Sequence, residues 1–220
     1  RSFAYLVNEP LFLTKLGVFA ITAQDVTGEK YAQQRSFFLN GKLLEEPGLK
    51  DAVAVVFKDM YWLCLNGVAY ILDGLQSTRR NEEPYSNRQY AGFYCTNIPA
   101  RVLFVKDERL WMGSDDGKLR RFYEDTAALT SYSDDGQAIH AVWETPDLSG
   151  KLFYKNKTFR FLAVRLASAI ATSIRISGQR RGLWTHIKED TTKARYFDWG
   201  YLNWDKFSWS NDETPKTLST

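Results

Sequence analysis

The sequence has little of the chemistry that most enzymes use. Of its 220 residues, two are histidine, His140 and His186, and two are cysteine. The histidines lie 46 residues apart, without an acidic residue three or four positions away on a helix, so they do not predict a zinc site. A Gly-x-Ser-x-Gly elbow is also absent, although a Ser-His-Asp triad stays open because its members meet only in space. We therefore expect no metal, no cofactor and no catalysis.

The two cysteines, Cys64 and Cys95, are too few for a disulfide framework, and they do not form a Cys-x-x-Cys pair. Both lie in apolar, strand-like sequence, where a free thiol behaves as a small hydrophobic side chain. This usage favours synthesis in a reducing compartment, the cytoplasm of the producing cell.

Long hydrophobic runs are absent too. The longest, 161–172, is interrupted by Arg165 and is too short to cross a bilayer as a helix. No signal-peptide pattern is present. The chain begins at Arg1 close to a strand, without an initiating Met, and ends at Thr220 just after an apparent strand start. From these ends we expect a fragment of a longer protein.

What the chain does have is a repeat of about 50 residues. Apolar strands flank a glycine-containing turn at Gly17, Gly67 and Gly117, and each interval is 50 residues. Glycine suits these positions because a tight hairpin needs a positive φ. A further segment precedes two of the copies, Val53–Asp59 and Arg101–Asp107, and each predicts a strand that ends in a Lys-Asp turn. Repeats of 40 to 50 residues built from strands are typical of propeller blades, and a plain β-meander is the alternative.

Charge divides the chain. Residues 1–150 carry a net charge of −4, residues 151–195 carry +9 and residues 196–220 carry −2. The turn cluster Asp134-Asp-Gly136 closes the third repeat, and the sequence beyond it no longer follows the 50-residue period. We predict propeller-like blades over 1–136 and a small antiparallel β-sandwich over 137–220. The alternation around Ile174 and Ile176 is the clearest strand signal of the second part.

The basic region is the first candidate partner surface. Arginine and lysine surround a tryptophan on a predicted hairpin, at Arg175, Arg180, Arg181, Trp184 and Lys188. Basic residues with an interleaved aromatic suit a nucleic-acid backbone. They equally suit a solvated face or a subunit contact against the acidic blades, and a head-to-tail contact of that kind can close a ring.

An aromatic run is the second candidate surface. Rings alternate with small polar residues over 196–209, with Trp199, Tyr201, Trp204 and Trp209 as the candidates. The run predicts a loop that tucks its rings into a sheet core, a platform for sugars or a protein contact.

Acidic residues complete the candidates. Asp115-Asp-Gly117 and Asp134-Asp-Gly136 have the composition of hairpin turns and lack the regular ligands of a calcium loop. A glycosidase needs two carboxylates facing a cleft. The candidates beside aromatic residues are Glu144, Asp198 and Asp205.

Three segments carry a family resemblance: Trp143-Glu-Thr-Pro146, Phe153-Tyr-Lys-Asn-Lys157 and the run from Phe197 to Trp209. With the preceding blade-like hairpins, they resemble the tail structural proteins of bacteriophages and prophages, nearest to podovirus-type tail hub or nozzle subunits. The resemblance covers about residues 100–215. It implies a propeller before a β-sandwich and a non-catalytic virion protein made in the host cytoplasm. It further implies a ring of identical subunits that contacts other tail proteins and surrounds DNA without reading its sequence. Such subunits are usually much longer. A carbohydrate or cell-surface binding module that uses the aromatic run is the alternative.

Overall fold

The computed structural model describes residues 1–23, 30–77, 88–122, 133–145, 147–148, 162–166, 172–191 and 216–219. Its contacts divide the chain into two compact units, Arg1–Tyr123 and Glu124–Thr220. The boundary predicted after Gly136 stays a prediction. All sheets of the described residues are antiparallel, so the all-β class is confirmed.

In the first unit, the part of the chain that the structure describes forms three sheets in chain order. The first sheet is a four-stranded meander of β1 (Ala4–Leu6), β2 (Glu9–Thr14), β3 (Gly17–Ala23) and β4 (Lys30–Gln34). The second sheet is a four-stranded meander of β5 (Val53–Phe57), β6 (Met60–Leu65), β7 (Val68–Ser77) and β8 (Tyr90–Thr96). The third sheet joins β9 (Ala100–Lys106), β10 (Arg109–Ser114) and β11 (Leu119–Arg121). Valine, isoleucine, leucine and aromatic residues dominate these strands, as expected for β-strands that pack against a core.

The second sheet lies between the other two and has an apolar layer on each face. One face, with Tyr61, Leu63 and Leu72, packs against the first sheet around Leu11. The opposite face packs against the third sheet, and its core contains Cys64, Ala69, Ile71 and Met112. Successive side chains of a strand point to opposite faces, so β6 serves both cores in alternation.

The first strands of the three sheets are neighbours. β1 lies against β5, and β5 lies against β9. The Ala54 backbone N–H donates to the Arg1 carbonyl at 3.1 Å, which ties the start of the chain to β5.

The turn glycines of the three repeats have the positive φ that the sequence predicted, 116° at Gly17, 80° at Gly67 and 73° at Gly117. Their places in the hairpins differ, however. Gly67 lies within the turn between β6 and β7, because Leu65 pairs with Val68. Gly17 is already the first residue of β3 and pairs with Thr14.

This difference corrects the alignment of the repeat by one residue. Counted from the hairpin turns before β2, β6 and β10, the equivalent positions are Leu11, Trp62 and Trp111, at intervals of 51 and 49 residues. The 50-residue interval pairs Leu11 with Tyr61 instead, and Tyr61 faces back toward the first sheet. A slip of one residue exchanges the two faces of a strand, so only the corrected alignment superposes like faces.

The link between the first two sheets is short and helical in places. It contains a 3-10 turn at Phe37–Leu39, α1 (Asn40–Leu43) and a second 3-10 turn at Leu49–Asp51. Leu43 is fully buried in the core between the sheets. Gly92 makes room for Leu39, since a Cβ at position 92 would lie 2.6 Å from the Leu39 Cγ.

The described residues of the second unit form three two-stranded antiparallel pairs. β12 (Ser133–Asp134) pairs with β13 (Gln137–Ala138), and β14 (Ala163–Leu166) pairs with β17 (Lys216–Ser219). β15 (Ser173–Arg180) and β16 (Leu183–Thr191) form the longest hairpin of this unit. β13 ends at Ala138, and the exposed residues 139–145 form no strand. The β-sandwich stays a prediction.

Candidate partner-binding surfaces

The predicted basic hairpin exists as β15 and β16. Its turn consists of two residues, Arg181 and Gly182, both with positive φ (51° and 79°). β15 therefore continues through Gly178 to Arg180, which pairs with Leu183. The register of the two strands shifts between Ile176 and Ser177. Next to this shift, Gly178 leaves room for Ile187, because a Cβ at position 178 would lie 3.0 Å from the Ile187 Cδ1.

The strand register places the five candidate residues on different faces of this hairpin. Arg175 pairs with Glu189, and Gln179 pairs with Trp184, so Arg175 and Trp184 share a face. Lys188 pairs with Ile176 and lies on the opposite face, as does Arg180. Arg181 lies at the turn. The hairpin thus carries cations on both sides instead of one concentrated basic patch.

Acidic neighbours reduce the charge on the face of Arg175. The Arg175 Nε donates to the Glu189 Oε2 at 3.0 Å, and both side chains are about half exposed or more. A solvent-exposed pair of this kind contributes about 0–1 kcal/mol to stability and is weakened by salt. Trp184 is 55% exposed on the same face and offers a ring to a partner.

The aromatic candidates Trp199, Tyr201, Trp204 and Trp209 lie outside the described residues, as do Asp198 and Asp205. Glu144 is exposed in the segment that follows β13. The sugar-stacking and glycosidase hypotheses therefore rest on the sequence alone.

The acidic pairs lie in hairpin turns, as predicted. Asp135 and Gly136 form the turn between β12 and β13 with φ of 49° and 83°. In the loop before β11, Asp115 pairs with Arg101, and the Asp116 Oδ2 accepts from the Arg120 Nη2 at 2.8 Å. Hydrogen bonds from Arg120 and Ser114 lower the pKa of Asp116 well below its ordinary value. Asp115 and Asp116 are therefore both paired with arginine side chains of the third sheet. Within the described ranges, histidine, cysteine and acidic side chains form no group of three that could hold a metal ion.

The most buried ion pair of the described residues joins two sheets and stabilises the fold. The Arg35 side chain is 0% exposed and the Glu9 side chain 3%, and the Arg35 Nε donates to the Glu9 Oε2 at 2.8 Å. The Arg35 Nη1 also donates to the Arg88 carbonyl at 2.9 Å. Glu9 begins β2 and Arg88 lies two residues before β8, so Arg35 cross-links the first and second sheets.

The cysteines lie in one cross-strand row of the second sheet. Cys64 pairs with Ala69, which in turn pairs with Cys95, so one strand separates the two thiols. Strands two apart are about 10 Å from each other, too far for a disulfide. Both thiols are free. Burial, with a smaller contribution from Cys95, raises the pKa of the Cys64 thiol to about 12.

We expect Cys64 to resist a thiol reagent in the folded protein. Its pKa of about 12, against 9.0 for an ordinary thiol, lowers the thiolate fraction on the order of 1000-fold at pH 8. Timed reaction with an aromatic disulfide reagent, read by mass spectrometry, should label the half-buried Cys95 first and Cys64 only in urea. Equal rates for both thiols in the folded protein would contradict this environment.

The sequence reasoning missed two apolar faces of the first unit. The outer face of the first sheet, which points away from the second sheet, consists of Tyr5, Pro10, Phe12, Phe19 and Ile21. The outer face of the third sheet consists of Val102, Phe104, Trp111, Gly113, Leu119 and Arg121. The signal was available, because β2 and β9 are apolar at consecutive positions and therefore predict burial on both faces.

The described residues contain no helix long and apolar enough to cross a membrane. No protein-family model, curated protein or solved structure matches this chain.

Proposed function

We propose that the chain is a non-catalytic structural subunit of a phage or prophage tail that assembles into a ring of identical copies. The three sheets of the first unit would be consecutive propeller-like blades. The second unit would supply a β-sandwich whose surface makes further contacts. The family is suggested by the sequence resemblance, and the structural role by the arrangement of the sheets.

The observation that carries this proposal is the regular stacking of the three sheets. Each presents one apolar face to its predecessor or successor, and β1, β5 and β9 are neighbours in turn. In a propeller the first strands of successive blades surround the central axis in the same way. Repeats of this kind gain their stability from the interfaces between neighbours and serve as scaffolds.

The use of polar side chains in the first unit supports a structural role as well. Arg35 and Glu9 form a buried ion pair. Asp115 and Asp116 lie in a loop and are paired with arginines. Cys64 is buried, with a raised pKa that opposes nucleophilic chemistry. These groups stabilise sheets and turns. Arg180 and Arg181, both exposed on the β15–β16 hairpin, suit an acidic neighbour or the phosphates of DNA.

We expect the purified protein to have a native mass that is a multiple of the 25.4 kDa chain. Light scattering coupled to size exclusion would give the mass, and electron microscopy of the same fraction would show rings. A closed ring requires a contact between different surfaces of neighbouring copies. A single species of 25.4 kDa at every soluble concentration would contradict the assembly role.

A further inference from the structure

The two outer faces correspond to faces that are already buried inside the first unit. The correspondence follows from the corrected repeat, in which Leu11, Trp62 and Trp111 are equivalent. Leu11 faces the second sheet and Trp62 faces the third. By the same step, Trp111 faces the place that a following sheet would occupy.

The outer face of the third sheet repeats the face with which the second sheet packs against the third. In the second sheet this face has two cross-strand rows, Val53–Cys64–Ala69 and Val55–Trp62–Ile71. In the third sheet the equivalent rows are Val102–Gly113–Leu119 and Phe104–Trp111–Arg121. The Phe104 and Trp111 rings are parallel within 5°, and the Arg121 guanidinium lies 5.7 Å from the Trp111 ring centre. Val102 and Leu119 are 56% and 61% exposed, although their equivalents are buried.

The outer face of the first sheet repeats the face with which the second sheet packs against the first. Tyr5 corresponds to Val56, Phe12 to Leu63, and Ile21 to Leu72. Leu63 and Leu72 are buried, whereas Tyr5 is 63% and Ile21 42% exposed. The sheets of the first unit pack against each other at two interfaces, first against second and second against third. The two outer faces correspond to the two sides of these interfaces.

We propose that the outer face of the first sheet binds the outer face of the third sheet of a second copy. This inference rests on the proposed assembly role and specifies its contact. A second copy is the occupant that the repeat favours, because it supplies both complementary faces. Two copies of the first unit bring six sheets, three from each copy, and a contact at each end would then close a ring within the four to eight blades of propellers.

Paired variants on the two faces test this contact. Tyr5→Glu alters the first sheet and Leu119→Glu the third, at side chains whose exposure leaves the monomer fold intact. Leu75→Glu is the matched control, since Leu75 is 74% exposed and lies on neither outer face. We expect each face variant to weaken self-association by on the order of 30-fold or more, as for residues central to an interface, and the control to leave it unchanged. Circular dichroism and the urea midpoint would confirm folding.

Mixing the two face variants distinguishes a head-to-tail contact from other arrangements. Tyr5→Glu keeps an intact third-sheet face and Leu119→Glu an intact first-sheet face, so the mixture should regain a two-chain species that neither forms alone. A Leu119→Glu protein that still dimerises would overturn the proposal in favour of pairing between first sheets, and a dimeric Tyr5→Glu would do so in favour of third sheets. A ring whose mass neither variant changes would overturn this contact while leaving the assembly role in place. A wild-type protein that is monomeric would contradict both this contact and the assembly role.

Discussion

Replacing Arg35 with methionine is expected to lower the free energy of unfolding by about 3–5 kcal/mol. The Arg35 guanidinium is fully buried, and it contacts the Glu9 carboxylate and the Arg88 carbonyl. Methionine fills much of the volume but leaves the Glu9 charge in a site that is almost sealed from water. Urea denaturation followed by tryptophan fluorescence would measure the loss, because Trp62 and Trp111 lie in the sheets of this unit.

A surface pair provides the control for Arg35. Arg101 and Asp115 form an ion pair with side chains 59% and 61% exposed, so Arg101→Met should cost no more than about 1 kcal/mol. The double variant Arg35→Met/Glu9→Leu should recover part of the stability, because it removes the buried charge along with its partner. Equal losses for Arg35→Met and Arg101→Met would show that the buried pair does not tie the two sheets together.

The hairpins of the first unit could be predicted from the sequence because their signals are local. Alternating or continuous apolar residues predict strands, and a glycine with flanking polar residues predicts the turn. Gly67 and Gly117 illustrate this, since both have positive φ in their hairpin loops. The class of the fold followed from the same signals.

The exact register of the repeat could not be predicted, because glycine marks a turn without fixing its length. Gly17 and Gly67 occupy different positions in hairpins that otherwise look alike in sequence. One residue of uncertainty is enough to exchange the two faces of β6. The sequence alone therefore could not show that Trp62 faces the third sheet while Tyr61 faces the first.

The position of the basic hairpin in the sequence could be predicted, but the faces on which its side chains lie could not. The sequence correctly predicted a hairpin rich in arginine around Trp184. It could not assign Arg175 and Lys188 to opposite faces, because the irregularity opposite Ile176 shifts the register. The pairing of Arg35 with Glu9 also escaped prediction, since 26 residues separate the two and only the stacking of the sheets buries them.

Gly17→Ala is expected to lower the free energy of unfolding by about 3 kcal/mol. Gly17 has a φ of 116°, and a Cβ there would lie 2.5 Å from the Asn40 Oδ1 and 2.8 Å from the Ser36 Oγ. These atoms cannot withdraw freely, because the Ser36 hydroxyl donates to the Asn40 Oδ1 at 2.6 Å and accepts from the Val18 N–H at 2.8 Å. The added methyl group would therefore strain the backbone and also break a buried hydrogen bond.

Gly67→Ala separates these two costs. Gly67 has a φ of 80°, and a Cβ there would meet nothing within 4 Å, so only the backbone strain of about 1 kcal/mol applies. Urea denaturation of both variants under the same conditions measures the difference. A larger loss for Gly17→Ala would assign the excess to the contacts with Ser36 and Asn40, which fasten the β2–β3 hairpin to the start of the helical link, together with the greater backbone strain at a φ of 116°. Equal losses would contradict that contact and leave the conformation of glycine as the whole reason for its presence at position 17.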